Sequence, residues 1–295
     1  MNLFTGLFEY EFMRRALLAC VIIGFTNGFL GAFVVLRRLA LVADALSHSL
    51  LPGLAIAAIF VGLNPVGLLL GGLIAATFVA LGGHLLARSS RVKEETAIAA
   101  LYVLAFAAGV AIIKFARVKV SLDHFLFGNI LGIADSDLWI CYGVGALTLL
   151  TLTVLSRPLL LALFEPSVAR TQGVPVGFIL GTLIILIVLT MIASLQAVGV
   201  LLSLGLMVLP AATVYLLTDR YALLPWASGL LGTAGALVGL VISFQANIPS
   251  GPAIVMVLGV AFLGAYLFGP RYGVLTQRFR KRHLHEESLE RWDHR

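Results

Sequence analysis

The feature that most constrains this chain is a series of long apolar runs separated by short polar breaks. They cover roughly 12–36, 41–61, 65–87, 96–114, 138–157, 175–194, 198–217, 222–246 and 251–269. Each is long enough for a helix to cross the hydrocarbon core of a bilayer. A spanning segment must satisfy its backbone N–H and C=O groups internally, which leaves α-helices or closed barrels. Barrel strands would alternate apolar and polar residues, whereas these runs are continuous. Composition agrees: 60% of the 295 residues are hydrophobic and only 12% charged. A water-soluble fold of this size could not hide so much apolar surface. The expectation is an all-α polytopic membrane protein of nine spans, with a transmembrane domain over 1–269 and a charged tail over 270–295.

Short loops predict that consecutive spans pack as antiparallel pairs, and the thirty glycines suit close helix contact in lipid. The formal charge of +6 reads as a topology signal, with no nucleic-acid partner expected. Nine spans put loops 37–40, 88–95, 158–174 and 218–221 on the same side as the C-terminal tail. Arg37, Arg38, Arg88, Arg91, Lys93, Arg157, Arg170 and Arg220 lie there with seven basic tail residues. The opposite side holds only Arg14, Arg15, Lys114, Arg117 and Lys119. The positive-inside rule therefore predicts a cytoplasmic C-terminus and an external N-terminus. Cys20 and Cys141 sit inside apolar runs and read as small core residues. A phosphate-binding GxxxxGK[ST] loop is absent from the sequence, so ATP is not bound by that device.

Of fourteen acidic residues, only Asp44 falls inside an apolar run. A charge within the hydrocarbon is costly, and it commonly faces a partner or a polar path. Ser47 and His48 follow at i+3 and i+4, so all three share one helix face. Carboxylate with imidazole suits transient binding of a divalent transition metal, with Ser47 as an additional ligand. The alternative is an internal hydrogen bond that neutralises Asp44 and packs one helix on another. Two ligands are also too few for a complete site. The others would come from water, other spans or the same helix of a second copy. Pro52 and Gly53 predict a kink or break just beyond the pair.

A second feature is FEPSVARTQG, Phe164 to Gly173, between two strongly apolar runs. Pro166 suits the first turn of a short helix, and Glu165 beside it suits the helix dipole. Gly173 can end that helix and Pro175 can start the next span. Such an element is either a docking helix or an ordinary connection. The segment 115–137 is polar yet aromatic, and holds Asp123, His124, Asp135 and Asp137. It reads as a re-entrant stretch or a surface loop. His84 reads as an interfacial histidine, Gln196 as a turn or interface residue, and His283, His285 and His294 as part of a solvated tail.

Together these passages resemble the permease subunits of the zinc and manganese ABC importers. The resemblance rests on ALVADALSHSLLPG (Ala40–Gly53), LFGNILG (Leu126–Gly132), FEPSVARTQG, QAVGVLLSLGLMVLPAAT (Gln196–Thr213) and IPSGPAIV (Ile248–Val255). It implies a helical bundle of the vitamin B12 importer type in the bacterial cytoplasmic membrane. Such a permease works as a homodimer with the path on its axis. Two copies of a cytoplasmic ATPase drive it, and an external metal-binding protein delivers zinc or manganese, with iron also admitted. Asp44 and His48 match the polar pair along the path, and no cofactor is held permanently. Phe164, Glu165, Pro166, Ala169 and Gly173 match the coupling helix that docks on the ATPase. The chain would itself catalyse nothing. A rival reading, a secondary cation transporter working without an ATPase, predicts acids on several spans. An intramembrane enzyme would need Ser47 and His48 to face each other, which adjacent helical residues do not.

Overall fold

The computed structural model describes residues 10–62, 64–115, 130–270 and 273–279. Among them the fold is entirely helical. The helices are α1 (Glu11–Leu36), α2 (Ala40–Ser49), α3 (Leu51–Val61), α4 (Pro65–Ser89), α5 (Glu94–Phe115), α6 (Asp135–Val154), α7 (Ser156–Phe164), α8 (Pro166–Thr171), α9 (Val176–Val198), α10 (Val200–Leu217), α11 (Leu224–Ala246), α12 (Ser250–Phe268) and α13 (Val274–Phe279). A short 3₁₀ turn, Ile130–Gly132, precedes α6. Nine spans are long and apolar enough to cross a membrane among the described residues, with α2 and α3 together forming the second.

The first span is the axis of the bundle and the most enclosed of the nine. It packs most extensively on α11 and then on α10. Lipid supplies no hydrophobic drive between helices, so close backbone approach must supply the contact energy instead. Small residues permit it here. A Cβ on Gly28 would overlap the carbonyl oxygen of Ser228, and one on Gly31 would overlap that of Met207. Backbone cannot move aside as a flexible side chain can. Gly31→Leu is therefore expected to prevent α1 from seating on α10, at a cost of about 1–3 kcal/mol or more. Loss of the monodisperse protein in detergent would show it; a normal elution profile and melting temperature would contradict it.

Cys20 and Cys141 are buried free thiols, as the apolar runs implied. Their Sγ atoms lie 3.7 Å from the Ala236 carbonyl and 3.4 Å from the Ala193 carbonyl. Three details depart from the sequence reading. Asp135 and Asp137, expected in a loop, form the first turn of α6, where negative charge complements the helix dipole. Arg15 of α1 ties Asp135 there at 3.0 Å. Residues 158–164, expected as loop, belong to α7, whose Leu159, Ala162 and Leu163 are buried. Gln196, read as a turn or interface residue, is not in the turn: it lies inside α9 and reaches Pro65 at the start of α4, and the reversal comes at Gly199 with φ +82°. Asp123, His124 and the tail histidines lie outside the described residues.

Candidate metal path and docking helix

The candidate metal residues sit on a half-helix. The chain leaves α1 through Arg38, whose φ of 58° is left-handed. Arg38 N–H bonds to Val35 O at 3.0 Å and Leu39 N–H to Val34 O at 2.8 Å, which reverses the chain within three residues. Helix α2 then runs for ten residues and stops at Leu50. Pro52 explains the stop: it has no N–H to offer the carbonyl of His48. The anticipated break is thus present. Neighbouring spans close on it, because a Cβ on Gly53 would overlap Gly71 O and one on Gly109 would lie 2.7 Å from the Pro52 nitrogen.

On α2, His48 Nε2 lies 3.7 Å from Asp44 Oδ1. That is contact between charge and ring, but too long for a hydrogen bond. The Asp44 side chain is 41% exposed and that of His48 28%. The neutralising internal hydrogen bond weighed from sequence is therefore not made between these two groups. The imidazole is held from the side instead. Tyr102 of α5 stacks on it at 6.3 Å and 28°, and Phe106 meets it edge-on at 5.5 Å. His48 Nδ1 is buried without a hydrogen-bond partner, so Nε2 is the nitrogen turned toward the carboxylate. Ser47 stands apart from the pair. It is fully buried, and its hydroxyl donates to the Asp44 carbonyl at 2.7 Å. Its proton serves the backbone of its own helix.

Among the described residues no group of three or more His, Cys, Asp or Glu side chains converges. The described residues thus bring together two donors here, Asp44 and His48, on a face that is partly open. Tyr102 and Phe106 went unnoticed in the sequence, because aromatic residues inside an apolar span are ordinary. Their own i, i+4 spacing was the only signal. Gln196 lies well along the chain from this pair and gives its Nε2 hydrogen to Pro65 O at 3.3 Å. His84 is exposed on α4.

The docking candidate is α8, six residues long with Pro166 at its start. Its end is a left-handed cap. Gly173, at φ +78°, gives its N–H to Arg170 O at 3.1 Å, and Val174 gives its own to Ala169 O at 2.9 Å. This double bond pattern needs a residue at positive φ, which glycine supplies without strain. Glu165 makes no side-chain hydrogen bond to the helix start, so only its charge near the dipole remains. Ala169 is fully buried in an apolar cluster with Leu159, Leu163, Val176 and Ile179. Phe164 and Val168 are 47% and 40% exposed. Phe164 meets Tyr221, on the neighbouring 218–223 turn, at 5.0 Å between ring centroids. The short helix is thus pinned by one alanine and turns its other residues outward.

Residues 9–269 match the description of the ABC 3 transport family. The chain belongs to the ABC 3 transport family. Relatives align along nearly the whole length. The manganese transport system membrane protein MntC of Halalkalibacterium halodurans is 37% identical over 286 residues, 97% of either chain. The manganese import system permease protein ScaB of Streptococcus gordonii is 34% identical, over 94% of this chain and 96% of its own. Among solved structures, PsaBC from Streptococcus pneumoniae in complex with Fab superimposes with a TM-score of 0.84 at 30% identity, covering 94% and 99% of the two chains. An inward-facing ABC transporter described as of metal-chelate type matches at a TM-score of 0.64 and 16% identity, over 85% and 84%. That second likeness shows the shared fold alone. This ABC 3 family chain is thus a multi-pass membrane transport subunit with an all-helical permease fold.

Proposed function

We propose that this ABC 3 family chain is the permease of an ATP-driven manganese importer, in which Asp44 and His48 touch the ion during passage. The carrying observation is the half-open carboxylate–imidazole pair on the first half of a broken span, just before the break. Manganese is the favoured cargo because full-length relatives are named for it. Carboxylate and imidazole with water suit that ion, although the same donors accept zinc or iron.

Two copies acting about a twofold axis would bring two Asp44–His48 pairs to one ion, which completes what a single chain lacks. Such a site should hold the ion weakly, since conduction requires entry and release. The basic loops and the tail would face the cytoplasm. There α8 would sit in a separate ATPase, one per permease, so that nucleotide-driven closure rocks the spans. An external binding protein would deliver the ion at the opposite end. The break at Leu50 gives the second span a natural hinge.

The test is reconstitution of the chain with its ATPase and binding protein in proteoliposomes, followed by uptake of radioactive manganese. Uptake should require ATP and compete poorly with calcium or magnesium. Equal uptake by the chain alone would turn the reading toward a secondary transporter.

A further inference from the structure

We propose that Arg37 is a mechanical clip between the docking helix and the half-helix that carries Asp44 and His48. The inference rests on the function proposed above and adds a positioning residue to it. Arg37 is the first residue after α1, and its N–H still bonds to Phe33 O at 3.1 Å. Its side chain crosses to a different part of the chain, where Nη1 donates to Leu163 O at 3.4 Å. Leu163 lies in the last turn of α7, immediately before Phe164 and α8. The final carbonyls of a helix have no partner within it, and they carry the negative end of its dipole. A guanidinium is the side chain best suited to meet both needs.

The two ends of this contact are short of slack. Only Arg38 and Leu39 separate Arg37 from the start of α2, and Arg38 is already folded tightly into the left-handed region. On the other side, only Glu165 separates Phe164 from α8. An apolar contact runs parallel to the polar one. Leu163 and Ala169 share one cluster with Ala43, the neighbour of Asp44, and Leu39 and Ala40 pack against it. A displacement of α8 therefore reaches the base of α2 through both links. The apolar link resists approach but slides easily. The Arg37 link is directional, so it transmits a pull as well as a push. The clip requires no contact of Arg37 with the cation or the ATPase; it acts through the position of α2.

The experiment compares Arg37→Met, Arg37→Lys and Arg38→Met in the complete assembly in proteoliposomes, reading manganese ions moved per ATP hydrolysed. Arg37→Met should retain assembly and hydrolysis, yet this ratio should fall about tenfold, the size of an ordinary coupling between sites. Arg37→Lys, which keeps a cation at the helix end, should recover most of it. Arg38→Met, which removes an equal charge one residue away, should resemble the wild type. An unchanged ratio in Arg37→Met overturns the clip. So does an equal fall in Arg38→Met, which would make the effect one of general charge. Proportional loss of hydrolysis and transport in Arg37→Met and Arg37→Lys alike would reduce Arg37 to a folding element. A wild-type assembly that moves no divalent cation removes the functional reading itself, and the clip with it.

Discussion

An Asp44→Ala permease should assemble normally and move almost no manganese. Removing even an outer partner of a metal ligand commonly costs about 10–100-fold, and loss of a ligand itself should exceed that range. The folded protein should tolerate the change. Asp44 is partly exposed, and the His48 imidazole lies 3.7 Å from its carboxylate without a hydrogen bond, so little packing is lost. Asp44→Asn separates charge from size: the amide keeps the shape but forfeits attraction for the ion. His48→Ala should stop transport too, with an additional loss of stability, because Tyr102 and Phe106 lose the ring they enclose. Initial rates of manganese entry, normalised to the amount of intact complex, decide the matter. Wild-type rates in Asp44→Ala would remove this residue from the mechanism.

The second large effect is expected at Ala169. Its methyl group is fully buried beneath α8, and a six-residue helix has almost no stability of its own. Ala169→Glu would place an uncompensated carboxylate in an apolar cluster, at a cost of several kcal/mol. The cheapest escape is release of α8 from the bundle. The nine spans hold together through other contacts and should stay folded. Co-purification of the ATPase should therefore be lost while the melting temperature of the isolated permease changes little. Gly173→Val acts more gently, since a left-handed β-branched residue costs about 1–2 kcal/mol. An ATPase retained at full occupancy by Ala169→Glu would show that α8 is not the docking element.

Much of this fold was legible because lipid imposes a simple rule on sequence. An apolar run of twenty residues has few alternatives to a spanning helix, so the nine spans agree with expectation to within a few residues. The break after His48 was legible through Pro52. The ends of helices were less so. Asp135 and Asp137 look like loop residues until the dipole of α6 is considered. Helix α7 is too short to span and follows α6 after a single residue, so its apolar run merged with the preceding one. At the candidate site, Asp44 and His48 stood out as polar groups in an apolar setting. Tyr102 and Phe106 did not, since only the packing of α5 on α2 gives them a role. Ser47 shared the right face by spacing, but burial and a hydrogen bond to its own backbone withdrew it. Spacing predicts which residues are neighbours; it does not say which way a hydroxyl turns.

Among the described residues one copy brings Asp44 and His48 as donors, and in the proposed dimer that has a genetic consequence. Where two subunits grip one cargo, a crippled copy spoils the healthy copy it meets. A cell making equal amounts of wild-type and Asp44→Ala protein would then assemble mostly mixed or doubly defective complexes. Manganese starvation in such a strain would be inherited as a dominant trait.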